Sequence, residues 1–328
     1  MNPWLPTAPC TPRTCAGHEG RMRGRPAAAA LLLAGCACIL AGALAAPFVP
    51  LLGAARRDRL IRRWAYGVVR SFGVRVRITG TPAAPDGNPA APGTLVVANH
   101  ISWLDIPLVA AVFPGRMLAK SEIRGWPLLG PLAARGGTLF VERDRLRALP
   151  ATVRTIGAAL RGGSRVVVFP EGTTWCGRGP GGRFGPAAFQ AAIDADATVR
   201  PVRITYRAAP SRSTGTTGRT GPAAGCRPTG HEISAPAEHT APAEHTAPAE
   251  HTAPAEHTAP AGAAAFVGDD PLLASLWRVV TAAGLTAEIR VLPPIPASGL
   301  PDRRALARRA QTAVANESAN RPPESVHH

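Results

Sequence analysis

Four short stretches of this chain carry side chains able to do chemistry on a substrate. The first is Asn99-His100-Ile101-Ser102-Trp103-Leu104-Asp105, which follows the apolar run Leu95-Val96-Val97-Ala98. A short β-branched run, followed by a Ser and then apolar residues at helical spacing, predicts a buried strand turning into a helix. In parallel α/β sheets that turn is where ligands bind. An imidazole there, with a carboxylate five residues on, has the types needed for a base and the group that orients it. Five residues of ideal helix rotate by roughly 500°, so the two side chains do not share a helical face. They meet only where His100 precedes the first helical turn and the chain bends back. A second reading is purely structural: Ser102-x-x-Asp105 is a capping box and His100 a surface residue.

The histidine census separates these readings. Of nine His, His18 lies in the N-terminal tail, five (His231, His239, His245, His251, His257) in a low-complexity segment, and His327 and His328 at the chain end. Only His100 falls in foldable sequence, so an imidazole that moves protons in the domain must be this one.

The second stretch, Leu118-Ala119-Lys120-Ser121-Glu122, holds the single Lys among 37 basic residues, a compact charge where the chain otherwise uses Arg. In the third, Gly137-Thr138-Leu139-Phe140-Val141-Glu142-Arg143, a strand delivers a guanidinium that suits bidentate phosphate binding. Pairing of Arg143 with Glu142 or Asp144 is the alternative. The fourth, Phe169-Pro170-Glu171-Gly172-Thr173-Thr174, is another strand-to-turn junction whose Gly permits close backbone approach, by a ligand or within a plain turn.

Elements to position these residues are legible around them. Strands are expected near 74–79, 94–99, 116–119, 138–142, 165–170, 199–205 and 287–293, and helices near 103–112, 145–161, 185–194, 270–283 and 301–316. Such alternation predicts an α/β fold with a largely parallel, buried sheet flanked by helices. Ahead of it, Pro26 to Ala55 has no charged residue, and Ala27 to Ala46 makes a helix of about 30 Å, enough to cross a hydrocarbon core. Arginines flank the segment on both sides and give no positive-inside vote. The segment therefore suits a dip into one leaflet, returning through Pro47 and Pro50, at least as well as a span. A secretory signal ending at Ala43-Leu44-Ala45 and a lipoprotein signal at Leu33-Ala34-Gly35-Cys36 are the rival readings. Ile61, Trp64, Val68 and Phe72 then recur at helical spacing, with Arg59, Arg62, Arg63 and Arg70 on other sides, the pattern of a basic interfacial helix.

Between Tyr206 and Phe266 the pattern stops. Four copies of Ala-Pro-Ala-Glu-His-Thr begin at Ala235, Ala241, Ala247 and Ala253, a Pro-containing repeat with no large apolar residue to bury. It reads as an extended linker that loops out of one domain. Across all 328 residues the formal charge is +16, which favours anionic partners such as membrane lipid or phosphorylated substrates. The arginines sit beside apolar segments and no stacking motif is present, so nucleic acid is not an expected partner. The six cysteines show neither zinc spacing nor an even disulfide framework; they read as reduced and incidental, with no metal site.

Taken together, the motifs resemble the bacterial 1-acyl-glycerol-3-phosphate acyltransferases, the PlsC-like branch of the glycerolipid acyltransferase superfamily. His100 and Asp105 match H-x4-D, Gly137 to Arg143 match G-x-x-F-[IV]-[DE]-R, Phe169 to Thr173 match F-P-E-G-T, and Val199-Arg200-Pro201-Val202 matches a looser fourth motif. The resemblance covers about 60 to 316, apart from the linker. It implies acyl transfer from acyl-CoA or acyl carrier protein to the sn-2 hydroxyl of lysophosphatidic acid, giving phosphatidic acid, with no further cofactor. It also implies His100 as general base oriented by Asp105, Lys120 and Arg143 binding the acceptor's phosphate, and Glu171, Gly172 and Thr173 shaping the acceptor site. Backbone N–H groups near Gly172 are candidates for the oxyanion. One departure stands out: many members continue as Glu-Gly-Thr-Arg, whereas this chain has Thr174. Arg178 or Arg183 replaces that cation, or the acceptor is a phosphate-free lysolipid such as lyso-ornithine lipid.

The expected organisation is a disordered tail over 1–25, membrane-associating helices over 26–73, the first part of the acyltransferase domain over 74–207, a disordered linker over 208–264, the domain's C-terminal part over 265–317 and a tail over 318–328. The expected location is the cell membrane, with the catalytic domain on the cytoplasmic side.

Overall fold

A computed structural model describes residues 6–18, 20–80, 93–127, 129–142, 146–179, 181–208 and 262–315. The predicted alternation becomes one sheet of seven strands: β1 (Arg75–Thr79), β2 (Thr94–Ala98), β3 (Arg116–Lys120), β4 (Leu139–Val141), β5 (Arg165–Val168), β6 (Thr198–Arg207) and β7 (Thr286–Val291). Their spatial order is β1-β7-β6-β2-β5-β3-β4. Every neighbouring pair is parallel except β6 with β7. The helices are α1 (Pro12–Cys15), α2 (Arg25–Ala45), α3 (Ala54–Ser71), α4 (Asp105–Ala110), α5 (Leu129–Arg135), α6 (Leu149–Arg161), α7 (Ala187–Asp194), α8 (Leu272–Thr281) and α9 (Arg303–Ala315).

Alternation along β2 shows why its sequence is apolar throughout. Val96 and Ala98 face a core shared with α3, α4 and α8, whereas Leu95 and Val97 face a second core shared with α6, α7 and α9. Helices cover both faces, so no position of the strand is left for a polar side chain. Pro201 sits inside β6 without breaking it. Its carbonyl still accepts from Leu292 N–H at 3.1 Å, and the antiparallel register with β7 runs on from Val202 opposite Val291.

The hydrophobic segment and the basic helix form an antiparallel hairpin, turning through a 3₁₀ stretch at Ala46–Leu51. Close approach depends on glycine at two points. A Cβ on Gly42 would lie 2.3 Å from the Trp64 ring, and one on Gly35 would lie 2.4 Å from Phe72. Trp64 Nε1 donates to the Cys38 carbonyl at 2.9 Å, closing the pair. The outward side of the hairpin leaves Leu33, Leu44, Phe48 and Leu51 exposed, and Arg25–Leu51 is long and apolar enough to cross a membrane. That surface is suited to membrane association.

Three expectations need correction. Residues 6–18 and 20–24 are not a free tail: α1 lies there, Cys10, Cys15 and Ala16 are buried, and Arg23 pins the entry to α2. The Arg23 guanidinium donates to the carbonyls of Val280 (2.9 Å) and Ala282 (2.6 Å) at the end of α8 and of Gly73 (2.8 Å) just after α3, satisfying acceptors left over at both helix ends. Between β3 and β4 a 3₁₀ turn (Ser121–Gly125) and α5 occur where no helix was expected, because Gly125, Pro127, Gly130 and Pro131 read as loop punctuation. The fold also resumes at Gly262–Ala264, a buried 3₁₀ turn, rather than at 265. Most of the linker, its repeats and the tail from 316 onward lie outside the described residues.

Candidate active site

All four motif stretches end at the same edge of the sheet. His100 follows β2, Glu171-Gly172-Thr173 follow β5, Lys120 closes β3, and the stretch leading to Arg143 follows β4. These four strands are consecutive neighbours and parallel, so their C-terminal ends open side by side. Neighbouring strands lie about 4.8 Å apart, which places the Lys120 strand roughly 10 Å across the edge from the His100 strand.

His100 leaves β2 before any helical turn. Asn99 holds that exit by acting as one more rung of the sheet: its Nδ2 donates to the Ile204 carbonyl at 2.9 Å and its Oδ1 accepts from Ile204 N–H at 2.8 Å. The chain then bends back and α4 starts at Asp105. His100 Nδ1 comes within 2.8 Å of Asp105 Oδ2, and the same oxygen accepts from the backbone N–H groups of Ile101 (2.6 Å) and Ser102 (2.8 Å). The contact with the Ser102 N–H is half of the capping-box pattern, so the structural and the chemical readings of Asp105 hold together.

The Asp105 side chain is 0% exposed and that of His100 is 19% exposed. A carboxylate this deep is tolerable because every bond to it comes from a donor. The fourth donor is the Tyr206 hydroxyl, 2.6 Å from Oδ1. Burial, the Asp105 charge and the hydrogen bond to it push the Tyr206 hydroxyl well above its usual range, so it stays protonated and donates. The imidazole also stacks on the Phe169 ring, with centroids 4.1 Å apart and planes 17° apart. With Nδ1 turned to Asp105 and one ring face covered, Nε2 is the nitrogen presented to a substrate.

Glu171 is buried, and its role at this stage is architectural. Oε2 accepts from the His100 backbone N–H at 2.7 Å and Oε1 from Gly182 N–H at 3.1 Å. Burial raises its pKa from 4.5 to about 7; the two N–H bonds pull it back down, and the Asp105 charge adds to the rise. Gly172 takes a left-handed φ of +73°, and its N–H bonds the Phe169 carbonyl at 3.1 Å. That N–H is committed to the turn and is not presented as an oxyanion donor. Thr173 lies half-buried beside it, and Lys120 is exposed at the sheet edge. Arg143 lies outside the described residues. Thr174 donates its hydroxyl to the Phe266 carbonyl, Arg178 reaches the Gly17 carbonyl at 3.5 Å, and Arg183 is exposed.

Tyr206 escaped sequence reasoning. Its only signal is scarcity, as one of two Tyr in the chain, placed at the end of a strand that pairs with β2. Trp103, within the same loop as His100, has a positioning role that its sequence context does not signal. Its ring packs edge-on against Phe72 at 5.0 Å, and its Nε1 lies 3.2 Å from Ser275 Oγ, joining the His100 loop to α3 and α8.

Comparison with known proteins bears on this edge. An acyltransferase family model matches residues 75–205, which hold every one of the motif residues. The chain is similar to the lyso-ornithine lipid O-acyltransferase of Pseudomonas aeruginosa, at 33% identity over 79% of this chain and 78% of that protein. It is similar to the 1-acyl-sn-glycerol-3-phosphate acyltransferase of Neisseria meningitidis, at 38% identity over 46% of this chain and 56% of that one. The crystal structure of the 1-acyl-sn-glycerophosphate acyltransferase PlsC from Thermotoga maritima shares the fold, with a TM-score of 0.53 over 87% of this chain and 92% of that chain at 17% identity. A likeness this extended, centred on the sheet edge that gathers His100, Asp105 and Glu171, makes the chain an acyltransferase of the PlsC-like glycerolipid family.

Proposed function

We propose that the chain moves an acyl group from a thioester donor, acyl-CoA or acyl carrier protein, onto a hydroxyl of a lysolipid. The observation that carries this reading is the 2.8 Å pair of His100 and Asp105 at the open sheet edge, with Nε2 turned outward. Nε2 takes the hydroxyl proton as the oxygen bonds to the thioester carbonyl carbon. The tetrahedral adduct then collapses, the C–S bond breaks, and the departing thiolate takes the proton back from the imidazolium. Asp105 keeps the ring in the correct tautomer and balances its transient charge; such positioned base catalysis is worth roughly 10²- to 10⁴-fold. Lys120 and Arg143 supply positive charge for the acceptor headgroup, and Glu171, Gly172 and Thr173 form the wall beside it.

For the acceptor, the first choice is lyso-ornithine lipid, which has no phosphate. Thr174 stands where many members carry an Arg, and its hydroxyl is spent on the Phe266 carbonyl. A relative named for that acceptor also matches the chain over most of its length. Lysophosphatidic acid is the second reading, favoured by the cation at Lys120 on the same edge. Because both thioester donors are cytoplasmic, we place the catalytic domain on the cytoplasmic face of the cell membrane, with the α2–α3 hairpin in its lipid.

The test is acyl transfer by the full chain in membranes, with lyso-ornithine lipid and lysophosphatidic acid as separate acceptors and labelled acyl-CoA or acyl carrier protein as donors. Transfer to lyso-ornithine lipid that disappears in His100→Ala is the expected result. Transfer to lysophosphatidic acid alone would select the second acceptor, and transfer to neither would overturn the reading.

A further inference from the structure

Cys10, Cys15 and Cys176 come from two segments that the sequence separates by 161 residues, yet their Sγ atoms all lie within 4.8 Å of one another. All three side chains are buried, at 2%, 2% and 4% exposure, in a small cluster with Ala265 and Val267. Of residues 6–17, only Cys10, Cys15 and Ala16 are buried. The apolar surface that the N-terminal segment buries on the domain is therefore centred on two thiols and one alanine, a small area to hold a chain of this length.

We propose that these three cysteines are the ligands of a soft divalent metal ion of the zinc type, which fastens the N-terminal segment to the active-site loop. Zinc–thiolate bonds of about 2.3 Å at tetrahedral angles set sulfur atoms roughly 3.8 Å apart, so closing the site needs shifts of the order of 1 Å. Each thiol loses its proton to solvent as the ion binds. Two groups already stand where a thiolate site needs support. Thr14 Oγ1 is 3.4 Å from Cys15 Sγ, within reach to donate to it. Arg178, two residues after Cys176, extends to the Gly17 carbonyl and brings a cation beside a set in which three thiolates exceed the metal's charge.

His18, three residues after Cys15, is the candidate for the fourth position; it stands outside the set of three sulfurs that lie within 4.8 Å of one another and would have to close on the ion. Its Nε2 lies 3.1 Å from the Arg21 carbonyl, an acceptor, so Nε2 carries the proton and Nδ1 keeps its lone pair. That Nδ1 is buried with no hydrogen-bond partner among the described residues. A ring nitrogen in that state, with its opposite N–H on a backbone carbonyl, is the usual condition of a metal-bound histidine.

The clip is tied to the catalytic edge by covalent neighbours. Trp175, adjacent to Cys176, donates its N–H to the His100 carbonyl at 2.8 Å. At the other end of the segment, Pro6 Cγ lies 2.5 Å from where a Cβ on Gly172 would stand, so the strap reaches the acceptor-site turn. Metal binding thus holds a cover beside Glu171-Gly172-Thr173 and braces the loop that carries the base.

The experiment is metal analysis of the full chain, purified in detergent under reducing conditions without chelator, followed by exchange with Co²⁺. We expect roughly one zinc per chain, and a thiolate-to-cobalt charge-transfer band with the intense visible absorption of a tetrahedral site. The Cys15→Ser and Cys176→Ser variants should each lose at least about tenfold in affinity, whereas Cys36→Ser, on α2, should lose none. His18→Ala should weaken binding but keep the charge-transfer band; unchanged affinity would remove His18 from the set. Chelation should speed tryptic cleavage after Arg13 by about tenfold, a readout independent of acyl transfer. A reduced wild-type chain that takes up neither ion, or a disulfide among the three cysteines in protein from a reducing cytosol, would overturn the proposal even if the variants misfold.

Discussion

The Tyr206 hydroxyl donates to Asp105 Oδ1 at 2.6 Å, and the two residues are 101 positions apart. Asp105 thereby has both oxygens occupied, Oδ2 by His100 and two backbone N–H groups, Oδ1 by a phenol that burial keeps protonated. The carboxylate cannot rotate away from the imidazole without leaving a buried donor unpaired. Tyr206→Phe should therefore destabilise the fold by about 1.5–3 kcal/mol, the cost of a lost bond to a charged group, as read by urea denaturation.

His100→Ala should lower turnover by roughly 10²- to 10⁴-fold. Association with lipid vesicles should be unchanged, because the exposed apolar side chains Leu33, Leu44, Phe48 and Leu51 of the hairpin are left in place. Flotation with vesicles alongside an acyl-transfer assay separates the two effects; near-normal turnover in a folded variant would remove His100 as the base.

Glu171 gives a pH signature of unusual sign for a carboxylate. Its folded pKa is raised, from 4.5 to about 7, chiefly by burial. Its favourable contribution is therefore complete below the unfolded value and is lost as pH rises toward about 7. Relative to Glu171→Gln, the wild-type chain should lose on the order of 3 kcal/mol across that window and then level off. Denaturant midpoints taken from pH 4.5 to 8 provide the check, and a wild-type chain that gains stability relative to Glu171→Gln as pH rises, or shows no change, would contradict it.

Gly35 links the membrane hairpin to the catalytic loop through aromatic contacts. Phe72 packs over Gly35 on one side and meets the Trp103 ring at 5.0 Å on the other. Gly35→Leu should displace Phe72 and cost about 1–3 kcal/mol by overpacking. A fall in kcat with little change in vesicle binding would show the displacement reaching His100.

Replacing 209–261 with a Gly/Ser linker should leave most of the acyl transfer, since the repeats carry no large apolar residue to place in a core. Loss of cooperative unfolding in the shortened chain would show that this segment contributes to the fold.

Local pattern alone determined a good deal here. The β-branched runs at Leu95–Ala98 and Val166–Val168, the turns after them, the long apolar helix and the placement of His100 at a strand-to-turn junction are properties of neighbouring residues, and all seven strands fall where that pattern puts them. The pairing of His100 with Asp105 was half legible: spacing excluded a shared helical face, and only the bend before α4 decided that they meet. Tertiary structure alone supplied Tyr206, the backbone-bracing role of Glu171 and the meeting of Cys10, Cys15 and Cys176. Each depends on which strand or segment lies beside which. Sheet order and docking are settled by burial across the whole core, whereas periodicity and turn chemistry are written within a few residues.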